Sequence, residues 1–369
     1  MAARTSGAAE RLPSLTSLRW FAASVVFLRH GRLVMEGSSD AVLDAYRQVA
    51  PQGATGVSFF FILSGFVLAW SRRPGDTVRG FYRRRFARVG PAYLVLCVVA
   101  FVNRSGFRGE DDSLSLVTNI FPVTFLQSWV PDSRWYYGGS GVAWSLSDEM
   151  FFYALFPFAI GPLLRLERRG LAAVLGAVVA AAIALPLVLH PTVESQGLAF
   201  WAIYIDPVYR LLEFVAGICL CALLRDGVRL RVRPGAAALL AVAAYVVAGH
   251  VPLYAMWVAV TVVPFCILIF ACAQADVTGY RGVLHHPWLI RLGQWSYAFY
   301  LVHTLVLRAT AHANGIWASD AWRLLVVAAS YGVTIVVAYA LFRFVEHPLE
   351  RRIRRGGTAT PQSEVALAR

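Results

Sequence analysis

The stretch 18-LRWFAASVVFLRHG-31 is apolar enough to enter a lipid bilayer, yet it carries Arg19 near one end and Arg29 and His30 near the other. An ionisable residue in the bilayer interior costs about 2.5–3.5 kcal/mol on insertion scales, so it stands there only with a partner or a task. Arg19 and His30 are eleven residues apart, and eleven helical steps of about 100° make three turns plus about 20°. Both side chains therefore project from one face, about 16 Å apart along the axis. Arg29 points about 100° away and can snorkel toward the membrane surface. Two readings stand side by side: a boundary arginine with a histidine that bonds a neighbouring helix, or one wall of an intramembrane site.

The rest of the chain has the same character. Of 369 residues, 58% are hydrophobic and 15% charged, against about 45–50% and 25% in soluble domains. The apolar residues fall in blocks of about 16–22, each long enough to cross a hydrocarbon core of about 30 Å. The expected fold is an all-α polytopic integral membrane protein with about ten transmembrane helices. They lie near 14–33, 54–70, 90–103, 114–130 or 141–162, 171–189, 207–224, 235–250, 254–272, 293–311 and 322–345. The region 104–145 is the least regular.

The formal charge of +13 raises the question of nucleic acid, and its distribution answers it. All 34 basic residues are Arg, clustered in short runs between apolar blocks with no basic stripe interleaved with aromatics. The runs 71-SRRPGDTVRGFYRRRFAR-88, 165-RLERRG-170, 225-RDGVRLRVR-233 and 350-ERRIRR-355 alternate with neutral or acidic connections at 35–44, 109–113, 191–195 and 312–320. Basic connections stay in the cytoplasm. Both termini are then expected there, with an even number of spans. Residues 1–355 read as one transmembrane unit and 356–369 as a short disordered tail. The apolar block at the N-terminus is interrupted by Arg and followed by no A-x-A site, so it does not read as a cleavable signal. The five cysteines, Cys97, Cys219, Cys221, Cys266 and Cys272, lie in or beside apolar blocks without metal-ligand spacing. They read as small core residues, and no metal is implied.

Further ionisable residues enter the apolar blocks. In 144-WSLSDEMFFYALFP-157, Asp148 and Glu149 are either an acid/base pair or the first turn of an interfacial helix capped by Ser147. In 206-DPVYRLLEFVAG-217, Asp206, Arg210 and Glu213 fall on one helical stripe, placed to neutralise one another or to line an acceptor cavity. Ser296, Tyr300 and His303 in 295-WSYAFYLVH-303 share a face in the same way, as a cavity wall or a bundle contact. Arg85 and Arg88, three apart in 83-RRRFARVGPAY-93, can hold a phosphate or simply mark the cytoplasmic boundary. Glu346 in 343-RFVEHPLERR-352 is expected to pair with an Arg of a connection. Ser58, Ser64 and Gly65 in 56-GVSFFFILSGFVL-68 suit close helix packing.

In this order the segments resemble the membrane-bound acyltransferase 3 family. The marks are Arg19-x10-His30, GVSFFFILSGF at 56–66, Arg85-x-x-Arg88 with Pro91 and Tyr93, WSLSDE at 144–149 with Phe152 and Tyr153, R-x-x-E-F-x-x-G at 210–217, SYAFYLVH at 296–303, and V-E-H-P at 345–348. They run over nearly the whole chain. The usual Val-Glu after WSLS is Asp148-Glu149 here, so Glu149 is the matching acid. The resemblance is to stand-alone members, without the soluble SGNH-type domain that some carry. It implies O-acyl transfer from acyl-CoA, most often acetyl-CoA, to a hydroxyl of a carbohydrate or of a secondary metabolite such as a macrolide. No permanently bound cofactor is implied; acyl-CoA is a co-substrate. On this reading His30 is the general base and Glu149 orients it. Arg19, Arg85 and Arg88 meet the CoA polyanion, while Asp148, Arg210, Glu213, Tyr300 and His303 border the acceptor. Two competing functions are a proton-coupled transporter or flippase for a lipid-linked sugar and a non-catalytic scaffold. The absence of an internal repeat speaks against the first.

Overall fold

A computed structural model describes residues 12–72, 75–102, 117–118, 120–189, 197–251, 256–313 and 318–355. Each apolar block closes its backbone hydrogen bonds on itself, which is what a chain in hydrocarbon must do. Among the described residues the result is ten helices of 15 to 27 residues: α1 (Pro13–His30), α2 (Thr55–Ser71), α3 (Val78–Val102), α4 (Trp144–Leu164), α5 (Arg168–Leu189), α6 (Pro207–Arg225), α7 (Pro234–Ala248), α8 (Met256–Val277), α9 (Pro287–Ala313) and α10 (Asp320–Leu341). No strand occurs among the described residues. Five helical stretches are long and apolar enough to cross a membrane, within 78–102, 168–189, 198–225, 258–277 and 320–354, and α2 and α7 are shorter apolar helices. This is an all-α membrane protein. The remaining three, α1, α4 and α9, are the helices that carry His30, Glu149 and His303.

One expectation needs correcting, and one open alternative is decided. The Arg-rich run 79–88 is not a connection but the first turns of α3, which starts twelve residues before the expected span. Pro91 falls inside the continuing helix; neighbouring helices can resatisfy the carbonyl freed by a proline in a membrane bundle. Of the alternatives 114–130 and 141–162, the long helix is the second. The described part of the first forms only short turns at Phe121–Thr124 and Gln127–Trp129. The expected acidic connections 109–113 and 191–195, part of 312–320, and the tail 356–369 lie outside the described residues.

The basic connections gather at one end of the bundle. There Ser14 at the start of α1 bonds Asp276 at the end of α8, Arg225 at the end of α6 reaches the Trp70 carbonyl, and Arg168 reaches that of Asp226. At the opposite end Tyr46 bonds the Leu28 carbonyl, Ser39 bonds Asp320, and buried Arg323 bonds the carbonyls of Val34 and Glu36. The most extensive contacts are α2 on α6 and α1 on α9. Gly65 and Gly217 make the first possible: a Cβ at Gly65 would run into the Phe214 carbonyl, and one at Gly217 into that of Ile62. Small residues of this kind let helix backbones meet in a membrane. Stacked Phe152 and Phe214, 5.0 Å apart, and the edge contact of Phe61 with Phe152 at 5.1 Å lock α4 against the same pair.

Candidate active site

The α1 stripe leads to two different places. At its far end, His30 Nδ1 stands 3.1 Å from Nε2 of His303 on α9 and 3.0 Å from its own helix carbonyl at Val26. His303 is wholly buried, and its Nδ1 lies 2.6 Å from the Tyr300 carbonyl. A carbonyl only accepts, so His303 Nδ1 carries the hydrogen and the Nε2 of the neutral ring is an acceptor. His30 Nδ1 is then the donor, to His303 and to Val26. The chain of hydrogen bonds leaves the lone pair of His30 on Nε2. Phe27 and Phe299 pack around the pair, with ring centroids 6.3 and 6.4 Å from His303.

At the near end, Arg19 borders a cavity of about 130 Å³ enclosed by α1, α2, α3, α4 and α9. Its polar lining is Arg19, Ser64, Arg85, Arg88, Ser145, Glu149, Tyr153, Ser296, Tyr297 and Tyr300. Glu149 accepts hydrogen bonds from Ser64, at 3.1 Å, and from Tyr153 one turn along α4. Arg88 donates to buried Glu346 and lies 3.6 Å from Glu350. Arg19 is within electrostatic reach of Arg88, Glu149 and Glu346. Arg85 points its guanidinium at the Phe81 ring, 5.8 Å away, and its Nε has no hydrogen-bond partner among the described residues. Tyr300 stands between the two places. Its hydroxyl is 2.7 Å from Ser145 on the cavity wall, and its ring centroid is 5.6 Å from that of His303.

A second cavity, of about 370 Å³, shares Leu68 and Arg85 with the first. It opens at the basic end of the bundle and is lined by Arg72, Arg84, Arg85 and Arg354, with Asp76 paired to Arg84 at 2.9 Å. Arg85 therefore stands in the walls of both cavities, and Tyr300 in the wall of the inner one.

The acyltransferase-domain family profile matches residues 12–343. The chain belongs to the acyltransferase 3 family. Among its relatives, acyltransferase MdmB of Streptomyces mycarofaciens is 37% identical over 364 residues, covering 94% of this chain and 93% of that protein. The exopolysaccharide production protein ExoZ of Rhizobium meliloti (strain 1021) is 28% identical over 313 residues, 82% of this chain and 91% of that protein. No solved structure matches the chain.

Within this acyltransferase, Arg19, Arg85, Arg88 and Glu149 come together around one cavity, and His30 and His303 meet at the other end of α1. The expected pairing of Glu149 with His30 does not form. Glu149 sits in the second turn of α4, where that helix passes the Arg19 level of α1, and the place beside His30 belongs to His303. Ser147 is not an N-cap, because α4 begins earlier, at Trp144; its hydroxyl bonds the Phe125 carbonyl at 2.6 Å instead. Arg210 and Glu213, expected at the acceptor, are wholly buried and paired at 2.9 Å. Arg210 also donates to the Tyr204 carbonyl and to Ser58, and lies over the Tyr204 ring at 4.8 Å. The two residues tie α6 to α2. Asp206 is the N-cap of α6, accepting from Tyr209. Asp148 is fully buried beside Ser128 and this ion pair, away from both cavities.

Ser64, Tyr153 and Tyr297 were not picked out as site residues, nor were Arg72, Arg84 and Arg354. Tyr153 had a signal, since it lies four residues after Glu149 and so on the same helical face. The others depend on which helices meet, which spacing within one helix does not report.

Proposed function

We propose that this acyltransferase moves a short acyl group, acetyl in the first instance, from acyl-CoA to a hydroxyl of a carbohydrate or of a secondary metabolite such as a macrolide. The observation that carries the donor is the gathering of arginines around two neighbouring cavities that share Arg85 in their walls. CoA is elongated, with phosphates at one end and the thioester at the other. Arg72, Arg84, Arg85 and Arg354 suit the phosphates, because guanidinium groups bind them through paired hydrogen bonds. The inner cavity of about 130 Å³ suits the narrow thiol arm with a small acyl group rather than a nucleotide. The carbohydrate acceptor draws support from ExoZ, an exopolysaccharide production protein.

On this reading His30 Nε2 takes the proton of the acceptor hydroxyl as its oxygen attacks the thioester carbonyl. The C–S bond breaks, and the proton returns from His30 to the departing CoA sulfur. His303 is a positioning residue that holds His30 in the required tautomer, as a carboxylate does in other acyl-transfer sites. Glu149 belongs to the donor side, orienting Arg19 and balancing the charge of the arginine cluster. Tyr300 separates thioester and base until substrate binds. Asp148, Arg210 and Glu213 support the walls from behind.

The same reading makes all ten helices span the bacterial plasma membrane, with both termini and the basic end in the cytoplasm, where acyl-CoA is found. Cysteine-accessibility labelling of 226–233 and 36–39 from either side checks this; labelling of both segments from one side overturns it. For the activity, purified protein given labelled acetyl-CoA and an acceptor should form ester. His30→Ala should form none above background while inserting normally. Full activity in that variant would remove His30 from the chemistry.

A further inference from the structure

A third cavity lies on a different face of α1 from Arg19. It encloses about 540 Å³ and is walled by Leu18, Phe21, Ala238, Val242, Phe265 and Leu268 of α1, α7 and α8. Its extent follows the helix axes. The lining residues run from Ser14 to Val25 on α1 and from Pro234 to Tyr245 on α7, eleven residue steps along each helix. At 1.5 Å per residue that is about 16 Å, close to half of a hydrocarbon core of about 30 Å. The cavity therefore has the depth of one leaflet.

Its polar end lies at the basic end of the bundle. Pro234 on the rim follows exposed Arg233, and the rim residues Tyr280 and Gly282 flank exposed Arg281. The carboxylate at this mouth, Asp276, is fully buried and already satisfied by Ser14, through both N–H at 3.0 Å and hydroxyl at 2.6 Å, and by His285 at 2.8 Å. It offers no exposed negative charge to an approaching anion. Tyr280, Val283 and Trp288 are exposed by 58%, 81% and 58% at the same level, where aromatic side chains favour the headgroup region of a bilayer.

An apolar slot one leaflet deep, with exposed Arg233 and Arg281 next in sequence to its rim residues, matches one class of ligand. We propose that this cavity is a binding site for an anionic phospholipid of the leaflet at the basic end, with one acyl chain in the slot and the phosphate at Arg233 and Arg281. Basic pockets between membrane helices bind anionic headgroups by the same physics. The bound lipid braces α1, the helix of Arg19 and His30, against α7 from behind. The proposal does not depend on the acyl donor, since it uses a different face of α1.

Native mass spectrometry of the full chain, with phosphatidylglycerol or phosphatidylcholine of equal chain length, tests it. Phosphatidylglycerol should be retained preferentially, with the preference falling about fivefold for each arginine in R233Q and R281Q. Ala238→Trp should eliminate retention of both lipids by filling the slot. Val242→Trp serves the same purpose at a lining position that is 59% exposed, so the protein tolerates the added bulk in folding. Equal retention of the two lipids would overturn the anionic assignment. Parental retention of phosphatidylglycerol in folded A238W or V242W would overturn the site.

Discussion

The two ends of α1 present opposite chemistry on one helical stripe. The His30 end is a pair of neutral rings among aromatic side chains, joined by hydrogen bonds that fix which nitrogen bears the lone pair. The Arg19 end is a charged network in which Glu149 and three arginines line a cavity and Glu346 accepts from Arg88. The first arrangement suits proton transfer at one ring nitrogen; the second suits a polyanion. About 16 Å of helix keeps them apart.

Removing the base should have the largest effect. His30→Ala should lower kcat by about 10²–10⁴-fold, the usual contribution of a general base, and leave KM for acyl-CoA nearly unchanged. A KM rise matching the kcat loss would merge the two ends into one binding site. Arg85→Ala should raise KM for acyl-CoA by about ten- to a hundredfold, as expected for lost charge-assisted hydrogen bonds. Its kcat at saturation should hold, and a selective loss of kcat would place Arg85 with the chemistry.

The ends depend on the core between them. Gly217→Ala should cost about 1–3 kcal/mol by forcing α6 away from the Ile62 carbonyl of α2. Thermal unfolding in detergent should show that loss for G217A and none for His30→Ala. The smallest effect concerns tautomer control. His303→Ala should lower kcat by about fivefold, the worth of one ordinary hydrogen bond, and His303→Gln, which keeps an acceptor for His30 Nδ1, should recover part of it. Identical losses in both variants would reduce His303 to packing.

The apolar blocks made the helices legible, because backbone hydrogen bonding in hydrocarbon leaves a helix as the natural solution for an isolated segment. They did not reveal where α3 begins. Arginine is a good helix former, so the charged run 79–88 continues a helix that composition alone would end. Residues 117–136 lack a helical period, and their short turns follow from local bonds such as Asp132 to the Arg134 N–H. Within the site, the α1 stripe and the motif residues were visible as faces of single helices. The partner of His30 was not, because it depends on how α9 and α4 cross α1. The same limit explains Arg210 and Glu213: the stripe was readable, but whether it faced a cavity or a neighbouring helix was not. The small residues of 56–68 were read as packing, which holds for Gly65 against Phe214, whereas Ser64 lines the cavity and bonds Glu149.

The central claim is that donor binding and proton transfer occupy opposite ends of α1. Equilibrium binding of a non-transferable acyl-CoA analogue to the parent, H30A and R85A proteins tests it most directly, because no turnover intervenes. The account predicts that H30A binds within about twofold of the parent and that R85A binds at least about tenfold more weakly. Loss of analogue binding in H30A, with R85A unaffected, would contradict it.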